Sequence, residues 1–93
     1  MRETGYAREL ATASIDGQRI ERIYVKDQGQ DEIRFSWWKE GRMIMRPLDL
    51  PEAELLPLLQ QAMMKGVFSE KFLKGLHDAI YDARREASYA DET

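Results

Sequence analysis

Residues 33–50 read IRFSWWKEGRMIMRPLDL, and this stretch decides the fold. Ile33, Phe35 and Trp37 alternate with Arg34, Ser36 and Trp38. That is the period of two expected of a strand, whose side chains point to opposite faces in turn. Lys39-Glu40-Gly41 is polar and ends in glycine, so it reads as a turn, and residues 42–46 read as the return strand. Pro47 has no N–H to offer a ladder and is expected to close the sheet. Asp49-Leu50-Pro51-Glu52 then reads as a capping box, with Asp49 accepting from the amide three residues on and Glu52 reaching back. Both acids would sit at the positive end of the helix dipole.

Upstream, residues 10–15 (LATASI) are small and β-branched and read as a first strand. Asp16-Gly17 follows, and both residue types tolerate the positive φ of a type I′ hairpin turn. Residues 18–26 form the second strand, 27–30 a polar loop, and 31–39 the third. Short connections favour an antiparallel meander over crossovers. Downstream, Leu55, Leu56, Leu59, Ala62 and Met63 recur at helical spacing. Pro57 interrupts them, so the first helix either kinks there or is preceded by a separate turn. Lys65-Gly66 reads as a helix stop. Ser69 reads as the cap of a second helix, with Phe68 and Leu73 as a hydrophobic staple and Phe72, Leu73, Leu76, Ile80 and Ala83 as its apolar stripe.

The expected class is therefore α+β: a four-stranded antiparallel meander followed by two helices packed on one sheet face. A single domain is expected over residues 1–93, with strands in about 10–46, helices in about 50–65 and 69–85, and a frayed tail over 86–93. The chain is 43% hydrophobic and 33% charged, which fits a folded protein and not a disordered one. Net charge is −3 with a pI near 5.2, so the overall balance does not favour non-specific binding of nucleic acid. With no cysteine, disulfides, thiolate metal sites and a cysteine nucleophile are excluded. No leader-like or membrane-spanning apolar run is seen, and the cytoplasm is the expected compartment.

Alternation assigns side chains to faces. Ile23, Val25, Ile33, Phe35, Trp37, Met43 and Met45 are expected under the helices. The other face would then show Arg22, Tyr24, Lys26, Arg34, Trp38, Arg42 and Arg46, with Ser36 and Ile44. Rings interleaved with cations suit single-stranded DNA or RNA, since bases stack on rings and cations follow phosphates. The same residue types are enriched in protein interfaces, so a homodimer or partner contact is the alternative, and a plainly solvated face is the third.

Other signals are bland. His77 stands alone, Glu52 and Glu54 suit a helix start, and Asp78 and Asp82 lie near Arg84 and Arg85. Met43, Met45, Met63 and Met64 read as core filling. No catalytic constellation, metal cluster or phosphate loop is legible, so a non-enzyme without metal or small-molecule cofactor is expected.

Residues 32–56, EIRFSWWKEGRMIMRPLDLPEAELL, resemble the core of the positive cofactor four family of single-stranded-DNA-binding transcriptional coactivators. The matching positions are Glu32, Ile33, Arg34, Trp37 and Trp38 in the third strand, and Leu50, Pro51 and Glu52 at the helix entry. One extra residue precedes the aromatic pair, the family's Lys/Gly-rich segment is replaced by MIMRPLD, and a second helix follows Gly66. The resemblance implies a curved four-stranded sheet, a helix after it, dimerisation through helices and a DNA-binding groove on the sheet.

Overall fold

The computed structural model describes residues 5–44 and 46–91, with side chains through residue 87. The order is β1 (Ala7–Ile15), β2 (Gln18–Val25), β3 (Gln30–Lys39), β4 (Arg42–Met43), β5 (Leu48–Leu50), α1 (Glu52–Met64) and α2 (Glu70–Asp91). The class is α+β, with an antiparallel sheet ordered β1-β2-β3-β4 and β5 also on β3. The chain forms two compact units, Met1–Pro57 and Leu58–Thr93.

The turns follow from their residues. Asp16 and Gly17 both take positive φ, 50° and 85°, as a type I′ hairpin requires. Gly17 is constrained twice. Its carbonyl accepts the Trp38 amide at 2.7 Å, and a Cβ there would run into the Trp38 carbonyl oxygen. The first hairpin turn is thus laid against the end of β3. Glu40 and Gly41, at 53° and 77°, make the equivalent turn between β3 and β4.

Between β2 and β3 the loop spans residues 26–29, and the Val25 carbonyl accepts from both Gln28 and Gly29. This loop sets Ile23 opposite Glu32, Glu21 opposite Arg34 and Arg22 opposite Ile33. Directly paired residues share a face. The expected partition is therefore corrected. Ile23 and Val25 lie with Glu32, Arg34 and Trp38, while Ile33, Phe35 and Trp37 lie with Arg22 and Tyr24. A β-bulge between Glu9 and Ala11 leaves Leu10 as the extra residue of β1.

The return strand is also corrected. β4 ends at Met43, and Pro47 does not end the sheet, because β5 rejoins β3 with Leu48 opposite Phe35 and Leu50 opposite Ile33. The pair Trp38 and Met43 and the pair Phe35 and Leu48 differ in register by two residues, which the segment around Pro47 absorbs at the sheet edge. Met45 falls outside the described residues.

Asp49 is a strand residue and not a helix cap. The helix starts after Pro51, whose carbonyl accepts from Glu54 and Leu55 at 3.0 Å each. Pro57 lies inside one continuous helix, at the cost of the bond its missing N–H would give to the Ala53 carbonyl. At the other end, Val67 donates to Ala62 and Gly66 to Met63, with Gly66 at φ 77°. That is the Schellman stop expected from Lys65-Gly66. Ser69 caps α2, its Oγ accepting from the Phe72 amide at 3.1 Å, and the Phe68 ring meets Phe72 at 5.0 Å. The α2 helix runs to Asp91.

Candidate binding faces of the sheet

The two faces of the sheet differ in what they bury and what they leave exposed. On the Ile23 face lie all the buried side chains among the described residues: Ala7, Ile23 and Val25, with Glu21, Glu32 and Arg34. Buried charges need partners. Arg34 has one in Asp49, directly across on β5, in a bidentate pair with Nε to Oδ1 at 2.8 Å and Nη2 to Oδ2 at 2.9 Å. Tyr6 adds its hydroxyl to Asp49 Oδ2 at 3.2 Å, and the guanidinium sits 5.4 Å from the Tyr6 ring centre. The bond from Arg34 holds the Asp49 carboxyl below its ordinary value, against the opposing effect of desolvation. Arg34 is correspondingly raised, chiefly by that same bond. Partial burial and the bond to Asp49 raise Tyr6. Glu21, only 1% exposed, accepts from Thr12 Oγ1 at 3.2 Å, and Glu32 accepts from Gln30 Nε2 at 2.9 Å. Further along, Arg19 stacks 4.2 Å over the Trp38 ring, whose Nε1 donates to Ser36 Oγ at 2.9 Å.

On the Phe35 face a run of neighbouring paired positions is apolar. Ala13 faces Ile20, Ile20 faces Phe35, Phe35 faces Leu48, and Ile33 faces Leu50, with Trp37 beyond. Ala13, Ile15, Ile20 and Phe35 line a shallow groove there. These side chains stay in contact with water: Ile15 is 73% exposed, Ile20 and Leu48 51%, and Trp37 46%. A contiguous exposed apolar patch on a sheet marks a surface that gains by being covered. Covering the open half of each such side chain returns about 1 kcal/mol.

The seven residues expected on one basic face are not brought together. Arg22 and Tyr24 lie on the Phe35 face, where Arg22 is held by Glu52 at 2.7 Å and Asp31 at 3.2 Å. These bonds, Glu52 first, raise the Arg22 guanidinium. Arg34 and Trp38 lie on the Ile23 face, the first buried against Asp49 and the second half-buried under Arg19. Lys26 is in the loop after β2, and its amide donates to the Tyr6 carbonyl. Arg42 is exposed in β4 opposite Lys39, and Arg46 is exposed between β4 and β5. The two tryptophans are split between faces as alternation requires, but Trp37 is the more open one.

The sequence assigns no face to Ile15, Ile20 and Leu48, and its pattern makes Asp49 a helix cap. Ile20 alternates with the same phase as Arg22 and Tyr24, which was a usable signal. Leu48-Asp49-Leu50 is itself a short apolar–polar–apolar alternation. Among the described residues no cluster of His, Asp or Glu suits a metal ion, and no helix is long and apolar enough to cross a membrane. His77 and Met64 are exposed on the helices, so Met64 is not core filling. Asp78 pairs with Lys74 at 2.9 Å and not with Arg84 or Arg85. Comparison of the chain with protein-family models, with curated proteins and with solved structures returns no match.

Proposed function

We propose that the chain is a non-enzymatic binding protein whose Phe35 face receives an apolar surface of a partner protein. One observation carries the reading: Ile15, Ile20, Trp37 and Leu48 stand exposed together on one face, while Glu21, Glu32 and Arg34 are buried on the other. Protein contacts are built around such apolar and aromatic centres with charge at the rim. Here Arg22, Lys39 and Arg42 supply the charged margin. A photo-crosslinking residue in place of Trp37 in the full chain tests this. The adduct should disappear with Ile20→Lys or Leu48→Lys and survive Lys74→Ala. An adduct indifferent to Ile20 and Leu48 overturns the reading.

A second reading rests on a separate observation: Tyr24, Phe35 and Trp37 put three rings on this face beside Arg22, Lys39 and Arg42. Rings and cations in this mixture favour single-stranded nucleic acid, in keeping with the coactivator resemblance. It is tested with Trp38→Phe, in which Trp37 is the one fluorophore of its kind. Quenching by an oligonucleotide that weakens with added salt supports it. Unchanged emission at low salt removes it.

A further inference from the structure

The two margins of the sheet are not alike. On one side β3 carries only the short β4 and β5, two and three residues long, with Pro47 between them and Arg42 exposed in β4. Short strands, proline and charge keep a sheet edge from pairing with another chain. On the other side lies β1, nine residues long and paired with β2 alone among the described strands. Its bulge at Leu10 guards the first half. Beyond the bulge, Ala11, Thr12, Ala13, Ser14 and Ile15 are all exposed, and none is charged or proline.

The register decides which main-chain groups stand open. Ile15 and Gln18 flank the two-residue Asp16-Gly17 turn and so exchange both their main-chain bonds. Alternation gives Ala13 with Ile20 and Ala11 with Arg22 the same bonded pairing, and turns the N–H and C=O of Thr12 and Ser14 outward. Apart from water, what satisfies such a row is another extended chain. A second β1, antiparallel about a twofold axis at Ala13, sets Thr12 opposite Ser14 and Ser14 opposite Thr12, each pair exchanging N–H and C=O. An axis at Thr12 instead puts Ser14 opposite the bulged Leu10, and an axis at Ser14 puts Thr12 opposite Asp16 in the turn. Of these, the Ala13 register alone pairs both open residues with regular strand residues. It also sets the small Ala13 against itself, and Ile15, 73% exposed, beside Ala11 of the other copy.

We infer that the open edge of β1 pairs antiparallel with β1 of a second copy of this chain, Thr12 opposite Ser14, and joins two sheets edge to edge. The contact uses neither helix, lies before the segment that resembles the coactivator family, and is independent of what the Phe35 face binds. The chain has no cysteine, so single cysteines in the full-length protein report the register. Ala13→Cys meets its own copy in a non-hydrogen-bonded pair, about 4.5 Å between Cα atoms, and should form a disulfide on oxidation. Ile15→Cys lies about 13 Å from its own copy along the strands and should not. Linkage at both positions indicates a parallel or unspecific contact, linkage at Ile15 alone another register, and linkage at neither no contact; each overturns the inference. Sedimentation of cysteine-free protein gives a second arm. Ser14→Pro removes an N–H that points away from β2, so far-UV circular dichroism should keep the sheet signal. Association should weaken by roughly tenfold or more, since each copy loses a bond to the other. A monomer at every soluble concentration, or a folded Ser14→Pro that associates as the parent does, overturns it. Should Ser14→Pro lose the sheet signal, the two cysteine variants decide.

Discussion

The Ile23 face and the Phe35 face are made by the same strands, yet one buries charge and the other exposes apolar surface. Glu21, Glu32 and Arg34 are buried on the first; Ile15, Ile20, Trp37 and Leu48 stand open on the second. Hydrophobicity alone does not explain which side of this sheet is covered. The first face is held by directed bonds, above all the Arg34–Asp49 fork, and its geometry is specific. The second depends on contact area, which is non-directional, so it can accept a partner without altering the strands beneath. The difference separates what keeps the sheet in register from what is left exposed.

The largest expected effect breaks the first face. Asp49→Ala leaves the Arg34 guanidinium buried and unpaired and should cost about 3–5 kcal/mol in chemical denaturation. Replacing both partners, with Arg34→Met and Asp49→Leu, should recover most of that loss. Next, Gly17→Ala should cost about 2–3 kcal/mol, from positive φ and the collision with the Trp38 carbonyl. Ile23→Ala, on the buried face, should cost about 2–4 kcal/mol. Ile20→Ser, on the open face, should cost under about 1 kcal/mol while removing the Trp37 crosslink. Equal costs at Ile20 and Ile23 would erase the contrast between the faces.

The smallest effect is a pH dependence. Asp49 titrates below its unfolded value, so its pairing with Arg34 contributes stability that is complete above that unfolded value. The contribution is lost as pH falls through the lowered folded value. Melting temperature should therefore fall on acidification below the ordinary carboxylate range. In Asp49→Asn that part of the slope should be missing.

Much of the fold was legible because local chemistry decides it. Asp16-Gly17 and Glu40-Gly41 are turns for the reason their positive φ values give, and Ser69 and Gly66 begin and end helices through bonds that their own residue types dictate. The candidate site was not legible, because alternation fixes faces within a strand and not between strands. Whether Arg34 shares a face with Arg22 or with Ile23 depends on the four-residue loop after Val25, whose carbonyl takes two amides. One residue more or less there would exchange the faces. Asp49 misled for a different reason. An acid three residues before Glu52 is what a capping box demands, and it is equally what a buried arginine across the sheet demands. Arg34 between Ile33 and Phe35 was the sign that a carboxylate was needed nearby.

The split of Trp37 from Trp38 offers the most direct test of which face is open. Acrylamide quenching of Trp38→Phe, which keeps Trp37, should be compared with that of Trp37→Phe, which keeps Trp38 under Arg19. Trp37 should emit further to the red and be quenched more strongly. A Trp38 more accessible than Trp37 would contradict the register, and with it the proposal that the Phe35 face is the one that binds.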